Sequence, residues 1–354
     1  MALLLEILLL GPLLLACWLL ASSGRFGSHD GRQRPDGALS APQRLGPYTL
    51  GSKLGEGAMG EVYRAWNSAV GAWHAVKLLP RDATPNDRRR FEKEARLGAQ
   101  VRHPNTVSIL EPARDGDGTC YYAMELLEGT SLQQLVEREG PQPPARVARI
   151  LRQLSAALAE MHAQGLVHRD IKPDNVLLTG RGDNSGDGSG ADVCKLIDFG
   201  LVEHVGALAE RQPEGTLIGT PLYISPEAIL APETVGPRSD LYGLGAVGYF
   251  LLRGEPVFRG SSLIEVCCHH LHTVPEALPM APGDAVAAEL ASIVLACLAK
   301  DPSERPASAA EVARRLARPS EVPSLPNRRA TRVRPSLAPE AECRTAHDQR
   351  RIAA

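Results

Sequence analysis

The sequence predicts an α+β fold with two lobes, a small lobe that is mainly β-sheet with one helix and a larger lobe that is mainly helical. Two observations lead to this prediction. Short apolar and alternating runs, separated by turns rich in Gly, Pro and Asp, fill residues 48–126. From residue 127 onwards apolar side chains recur at spacings of three and four, which is the period of an amphipathic helix. A chain of 354 residues has room for both lobes and for tails.

The composition argues against one class of partner and indicates the redox state of the compartment. A net charge of −2 gives no general case for nucleic-acid binding, and no nucleic-acid partner is predicted. The seven cysteines are odd in number and include no CxxC pair. This pattern favours free thiols in a reducing compartment over a disulfide framework.

The N-terminal residues predict a membrane anchor. Ala2–Ala21 is almost wholly apolar, with Glu6 as its only charge. Twenty helical residues span about 30 Å, the thickness of the hydrocarbon core of a bilayer. Positive charges such as Arg25 and Arg32 follow this run, so the domain after it is expected in the cytoplasm. Residues 1–22 are therefore predicted to be a single-pass anchor. A signal peptide, a lipoprotein processing site at Leu14–Cys17 and a misassigned start codon, the last leaving a cytoplasmic protein, remain alternatives.

A linker and a glycine-rich hairpin come next. Residues 23–47 are rich in Gly, Ser, Pro and Arg, as in a linker. The glycines at 55, 57 and 60 suit a turn whose backbone N–H groups approach phosphates. In a dinucleotide-binding fold such glycines would open a helix. Here Glu61–Ala65 alternates like a strand, which predicts a hairpin.

Further strands are predicted at Trp73–Leu79, Thr106–Leu110 and Cys120–Glu125. Lys77 stands near the middle of the first of these, between apolar neighbours. A lysine cannot be buried there without an anionic partner, because an unpaired buried charge is very costly.

One acid on the first predicted helix is the candidate partner. The helix is expected over Arg88–Val101, with Glu94 on the same face as its apolar residues. Glu92 and Lys93 are expected to face water. An ion pair of Glu94 with Arg90 at the surface is the alternative.

The loop His168–Asn175 carries residues suited to phosphoryl transfer. Asp170 can accept a proton from an attacking hydroxyl group, Lys172 can neutralise the phosphate, and Asn175 can hold Mg²⁺. An acid five residues before an asparagine means little alone. The motifs on either side of the loop support its interpretation as a phosphoryl-transfer site.

These motifs together resemble the bacterial branch of the eukaryotic-type serine/threonine protein kinases. They occur in the expected order: the glycine loop, Ala-Val-Lys, a helix Glu, a Met-Glu hinge, HRDIKPDN, DFG, GTPLYISPE and Asp-Leu-Tyr-Gly-Leu-Gly. The resemblance covers about Tyr48 to Leu316, so residues 48–317 are expected to form a kinase domain with lobes at 48–126 and 127–317. It implies that the chain transfers the γ-phosphate of ATP to Ser and Thr hydroxyl groups of proteins.

The resemblance also assigns site residues. Asp170, Lys172 and Lys77 would be catalytic, with Asn175 and Asp198 as Mg²⁺ ligands. The expected ATP-binding residues are Leu54, Gly55, Gly57, Gly60, Val62, Ala75, Lys77, Glu94, Met124, Glu125, Leu127 and Leu177. The backbone of residues 125–127 would bind adenine.

The segment from Asp198 to Glu227 carries an expected regulatory site. Between Gly200 and Gly219 its only hydroxyl group belongs to Thr216, which is predicted to be autophosphorylated. A transient homodimer is the partner considered for this reaction. Thr220 is expected to brace Asp170 and Lys172.

The resemblance implies two structural contacts in the large lobe and leaves one insertion unexplained. Glu227 is expected to form a buried pair with Arg305, and Asp240 to anchor the backbone of the catalytic loop. Thr179–Asp192 is longer and richer in glycine than the usual turn at this place.

The C-terminal tail and two alternative functions complete the expectations. Residues 318–354 are rich in Pro and Arg, which predicts disorder. One alternative function is a nucleotide-binding pseudokinase, which would lack a catalytic acid or lysine. The other is a small-molecule kinase, against which the GTPLYISPE segment argues.

Overall fold

The computed structural model describes residues 43–57, 60–110, 112–180, 192–205, 220–278 and 284–317. All of them fall within one compact unit that extends to Ala317. The predicted anchor, most of the glycine-rich insertion, Thr216 and the C-terminal tail lie outside these ranges. Within them, no helix is both long enough and apolar enough to cross a bilayer.

The small lobe is built on one antiparallel sheet with strand order β1-β2-β3-β4-β6-β5. Its strands are β1 (Arg44–Leu45), β2 (Tyr48–Gly57), β3 (Gly60–Asn67), β4 (Ala72–Leu78), β5 (Ala113–Arg114) and β6 (Cys120–Glu125). Strands β2 and β3 pair down to Gly57 opposite Gly60, so the glycines do form a hairpin. Alternating side chains of the sheet form a small core that includes Ala65 of β3, Val76 of β4 and Tyr121 of β6.

Thr106–Leu110 is not a strand, contrary to the prediction. Thr106 and Ile109 make only single bridges, to Leu196 and Met124 respectively. The backbone N–H of Val107 donates to Leu196, whereas that of Leu110 donates to Ala123. Because its donors go to two different strands, the segment cannot form a continuous ladder with either.

Helix α1 (Pro85–Gln100) packs beneath the sheet and begins three residues earlier than predicted. Thr84 and Asp87 form a capping box, in which each side chain accepts a hydrogen bond from the backbone N–H of the other. Pro85 follows the cap, where its missing N–H is not needed. Glu94 lies on the buried face of the helix together with Phe91.

The large lobe is mainly helical, so the predicted two-lobed α+β fold is confirmed. Its helices are α2 (Leu132–Glu139), α3 (Pro144–Ala163), α4 (Pro226–Leu230), α5 (Pro237–Arg253), α6 (Leu263–His272), α7 (Ala285–Cys297) and α8 (Ala309–Leu316). Its short strands are β7 (Gly129–Ser131), β8 (Leu166–Val167), β9 (Val176–Thr179), β10 (Val193–Leu196) and β11 (Glu203–His204). Strands β9 and β10 form the hairpin that carries the insertion.

Helix α5 forms the centre of the large lobe. A Cβ atom added at Gly248 would lie 2.8 Å from the side chains of both Leu151 and Val294. Helices α3 and α7 therefore approach α5 closely enough that this position accepts only glycine without rearrangement.

The expected pair of Glu227 and Arg305 is present and buried. Two guanidinium nitrogens of Arg305 donate to the two carboxylate oxygens of Glu227, each at 2.7 Å. Ser239 donates to one of the same oxygens at 2.6 Å. Burial alone would raise the pKa of Glu227, but the hydrogen bonds and charge of Arg305 hold it below its ordinary value. The pair joins α4 to the segment before α8.

Candidate active site

The buried lysine of β4 has the partner that the sequence predicted. The Nζ atom of Lys77 lies 2.7 Å from Oε1 of Glu94, and their side chains are only 13% and 1% exposed. The alternative, a surface pair of Glu94 with Arg90, is therefore wrong. A buried pair of this kind is costly to break, because the remaining charge would be left without a partner.

Tyr122 also contacts this ion pair, and the sequence analysis did not assign it a role. Its hydroxyl group donates to the same oxygen of Glu94 at 2.7 Å. Burial raises the pKa of Tyr122, and the negative charges of Glu94 and Asp198 act in the same direction. Tyr122 therefore remains a donor to Glu94.

In the catalytic loop, three side chains hold the carboxylate of Asp170. Oδ2 accepts from Nζ of Lys172 at 2.6 Å and from Nδ2 of Asn175 at 3.0 Å. Oδ1 accepts from the hydroxyl group of Thr220 at 3.0 Å. The same hydroxyl accepts from Lys172 at 2.9 Å, so the predicted contacts of Thr220 with both residues are present.

Asp240 fixes the backbone of this loop, as expected. Its carboxylate accepts from the backbone N–H groups of His168 at 2.9 Å and Arg169 at 2.8 Å, and lies 2.8 Å from Nε2 of His162. Burial alone would raise the pKa of Asp240, but these hydrogen bonds and charges hold it below its ordinary value. Arg169 has φ of 70°, a conformation that non-glycine residues rarely adopt and that the surrounding contacts must hold.

Asn175 and Asp198 lie close together and offer oxygen ligands. The backbone N–H of Ile197, next to Asp198, donates to the carbonyl of Asn175 at 2.9 Å. The Nδ2 atom of Asn175 is used by Asp170, which leaves its Oδ1 as the ligand atom. Asp198 is exposed and has φ of 68°, again a rare conformation. An amide oxygen with a carboxylate suits a hard divalent cation, so these residues fit the metal that the resemblance implies.

The residues expected to surround adenine share one face of the small-lobe sheet. Ala75 stands opposite Met124, and Lys77 opposite Val62, in the strand register. From the large lobe, Leu177 is half-buried between the buried residues Val176 and Leu178. It therefore points away from the core that its neighbours enter.

The hinge after Met124 uses one of its backbone donors and one of its side chains within the protein. The N–H of Glu125 donates to the carbonyl of Ser108 at 3.0 Å, so this donor is already used. The side chain of Glu125 accepts from Nζ of Lys195 at 2.8 Å. Leu54, another of the expected ATP-binding residues, is 51% exposed.

The glycine loop has one position that requires glycine and one that leaves space. A Cβ atom on Gly60 would lie 2.0 Å from the carbonyl oxygen of Leu78, and φ of Gly60 is 136°. A Cβ atom on Gly55 would meet nothing within 4 Å. The backbone at Gly55 is therefore open to a ligand, whereas Gly60 sets the shape of the hairpin.

Replacing these two glycines should separate the two effects. Gly60→Ala should destabilise the free protein by about 1–3 kcal/mol, because of the strained φ and the clash with Leu78. Gly55→Ala should leave the stability of the free protein unchanged. Thermal unfolding of both full-length variants without nucleotide checks this. Equal melting temperatures would contradict the assigned role of Gly60.

Glu92 and Lys93 were expected to face water, but each forms an ion pair and is half-buried. Glu92 pairs with Arg114 at 2.5 Å, and Lys93 forms an ion pair with Glu203 of β11. Both side chains are half-buried. Residues 93 and 203 are 110 positions apart, so no local pattern in the sequence could have indicated this contact.

Comparisons with known proteins agree with this geometry. The family model for the protein kinase domain matches residues 48–316. Serine/threonine-protein kinase pkn3 of Myxococcus xanthus is 32% identical over 268 residues, which cover 74% of this chain and 48% of that protein. Pkn2 of the same organism is 37% identical over 291 residues, covering 79% of this chain and 33% of that protein. PknB of Mycobacterium tuberculosis is 33% identical over 299 residues, which cover 81% of this chain and 46% of that protein.

The chain belongs to the protein kinase family. The relatives are bacterial proteins named serine/threonine-protein kinases, which confirms the resemblance inferred from the motifs. The chain spans between a third and a half of the length of these relatives.

Proposed function

We propose that this chain transfers the γ-phosphate of ATP to Ser and Thr hydroxyl groups of proteins. The observation that carries the proposal is the carboxylate of Asp170, held through both oxygens by Lys172, Asn175 and Thr220. A carboxylate fixed in this way can orient the attacking hydroxyl group and accept its proton. Lys172 lies beside it and can stabilise the charge on the transferred phosphoryl group.

Lys77 and Glu94 are proposed to bind and orient the nucleotide. The ammonium group of Lys77 is held by Glu94, which leaves its remaining donors for the α- and β-phosphates. The open backbone at Gly55 supports a lid over the phosphates together with Gly57 and Gly60. Adenine is proposed to lie among the remaining predicted contacts, which are Leu54, Val62, Ala75, Met124, Glu125, Leu127 and Leu177.

Asn175 and Asp198 are proposed to hold Mg²⁺. Bound there, the ion would neutralise charge on the triphosphate. The free Oδ1 of Asn175 and the exposed carboxylate of Asp198 support this choice, because Mg²⁺ prefers oxygen ligands and few protein side chains.

A labelled-phosphate assay tests the reaction and its substrate class. The full-length protein is incubated with γ-labelled ATP and Mg²⁺ in the presence of protein substrates or a panel of aminoglycosides and choline. Label on phosphoserine and phosphothreonine of protein is expected. Transfer only to small molecules would contradict the proposal, and nucleotide binding without any transfer would indicate a pseudokinase.

Thr216 lies outside the described residues, and its autophosphorylation is proposed from the sequence. It supplies the only hydroxyl group between Gly200 and Gly219, and a phosphate on it could pair with Arg169 of the loop His168–Asn175. Phosphopeptide mapping of protein incubated with ATP should find phosphate at Thr216. A specific rate that rises with protein concentration would indicate reaction within a transient homodimer. Phosphate found only outside this segment would contradict the proposal.

Residues 1–22 are proposed to anchor the chain in the cell membrane with the kinase domain, residues 48–317, in the cytoplasm. The apolar run Ala2–Ala21 and the arginines after it support this topology. The full-length protein should sediment with membranes and resist extraction by salt, whereas a chain lacking residues 1–22 should not. Recovery of the intact chain in the soluble fraction would contradict the anchor.

A further inference from the structure

An ion pair joins helix α1 of the small lobe to a strand of the large lobe. Lys93 directly precedes Glu94 on α1, and its Nζ atom pairs with Oε1 of Glu203 on β11. The side chains are 36% and 18% exposed, so the pair is partly shielded from solvent. Shielding strengthens the attraction compared with that of a fully exposed pair.

Strand β11 is in turn tied to the start of the catalytic loop. Glu203 stands opposite Val167 in the antiparallel pair of β11 and β8. The N–H of Val205 donates to the carbonyl of Gly165 at 2.9 Å. Strand β8 leads directly into His168–Asp170, so the backbone of Glu203 is fixed relative to this loop.

The carboxylate of Glu203 also acts on a cation of the loop. Burial lowers the pKa of Arg169, and the negative charges of Glu203 and Asp240 oppose this effect. Glu203 therefore interacts with two cations, Lys93 from the small lobe and Arg169 from the large lobe. A movement of α1 that displaces Lys93 would therefore also change the interactions of Glu203 beside the catalytic loop.

A second contact of α1, with the region around Phe199, is apolar. A Cβ atom on Gly98 would lie 2.5 Å from Ile109 and 3.3 Å from the ring of Phe199, which shows how closely the helix packs there. Apolar contacts favour close approach but have little directional preference. The ion pair of Lys93 supplies a directional constraint, one residue away from Glu94.

We propose that Lys93 and Glu203 are positioning residues for phosphoryl transfer, and that their ion pair holds α1 and Glu94 in place relative to the catalytic loop. This inference rests on the proposed function and adds two residues to the machinery of that site. Lys93 acts through Glu94 and Lys77, and Glu203 acts through Arg169 and β8. The anionic partner of Lys93 is the carboxylate of Glu203, so the pair needs no added ligand.

A double-mutant cycle in the full-length protein tests the coupling. Lys93→Met and Glu203→Gln each remove one charge and keep the approximate size of the side chain. Each should lower kcat/KM by about three- to tenfold, and the double variant should lose no more than the more severe single variant. Losses that multiply in the double variant would contradict a shared role.

The control is the neighbouring ion pair on the same helix. Arg114→Met breaks the pair with Glu92 of α1. Arg114 lies on β5, so this pair stays within the small lobe. This variant should keep the kcat/KM of the wild type within about twofold, because exposed pairs contribute little. A loss equal to that of Lys93→Met would mean that any ion pair made by α1 matters, and would overturn the proposal.

Hydrogen exchange provides a readout that does not require catalysis. Amides of α1 should exchange faster in Lys93→Met and Glu203→Gln than in the wild type and in Arg114→Met. If the wild type transfers no phosphate, the proposed function fails, while exchange still decides whether the pair holds the helix. Identical exchange in all four proteins would overturn the positioning role.

Discussion

Asp170→Asn should reduce kcat by about 100- to 10,000-fold, the contribution typical of a positioned general base. Asparagine has nearly the same size, so the loop should keep its shape. Its amide cannot accept a proton, and its NH₂ group would replace one of the two carboxylate oxygens, either the one that accepts from Lys172 or the one that accepts from Thr220. ATP should still bind with a similar Kd, because the nucleotide contacts lie on other residues.

The measurement is the steady-state rate at saturating ATP and protein substrate, with nucleotide affinity determined separately. Asp174→Asn is the matched control, because Asp174 belongs to the same loop and is exposed. It should retain the rate of the wild type. An Asp170→Asn variant within about tenfold of the wild type would exclude the general-base role.

Arg305→Ala should destabilise the protein by about 3–5 kcal/mol, the usual cost of removing one partner from a buried ion pair. The substitution leaves Glu227 buried without its partner. It also removes donors to the carbonyls of Ala299, Lys300 and Arg238. For a domain of this size the melting temperature should fall by roughly 10 °C.

The loss should depend on pH with a definite sign. The pKa of Glu227 is lowered in the folded wild type, so the pair stabilises above the unfolded pKa and loses this effect as pH falls through the folded value. In Arg305→Ala, an unpaired buried carboxylate favours its protonated form. The stability difference between the two proteins should therefore shrink from pH 7 towards pH 4. A difference that stays constant or grows in acid would contradict this explanation.

Arg315→Ala is a matched control for this prediction. Arg315 pairs with Glu289 at 2.8 Å, but the side chains are 31% and 52% exposed, whereas that of Arg305 is fully buried. Its removal should cost at most about 1 kcal/mol. Denaturation by urea at several pH values compares the three full-length proteins.

The sequence predicted two kinds of contact, those that follow from local periodicity and those that belong to a recognised motif. Lys77 lay in an apolar strand and needed an anion, and the period of the helix left Glu94 as the acid on its buried face. The resemblance anticipated the contacts of Thr220 and Asp240, which the structure contains. The hairpin at the glycine loop followed from alternation in β3.

Other features depend on long-range packing, and local patterns do not encode them. Thr106–Leu110 has the composition of a strand, but its hydrogen bonds divide between two neighbouring strands. Tyr122 contacts Glu94, and Lys195 contacts Glu125 across 70 residues, through the tertiary fold alone. The start of α1 is an exception, since the capping box at Thr84 could have been recognised from its residues.

The most direct test is an experimental structure of the full-length protein with Mg²⁺ and a non-hydrolysable ATP analogue. Lys77 should contact the α- and β-phosphates while still paired with Glu94, and Asn175 and Asp198 should both contact the metal ion. Asp170 should lie beside the γ-phosphate with its carboxylate free of the metal. A nucleotide bound elsewhere, or bound without Lys77 and Asp198, would contradict the proposed active site.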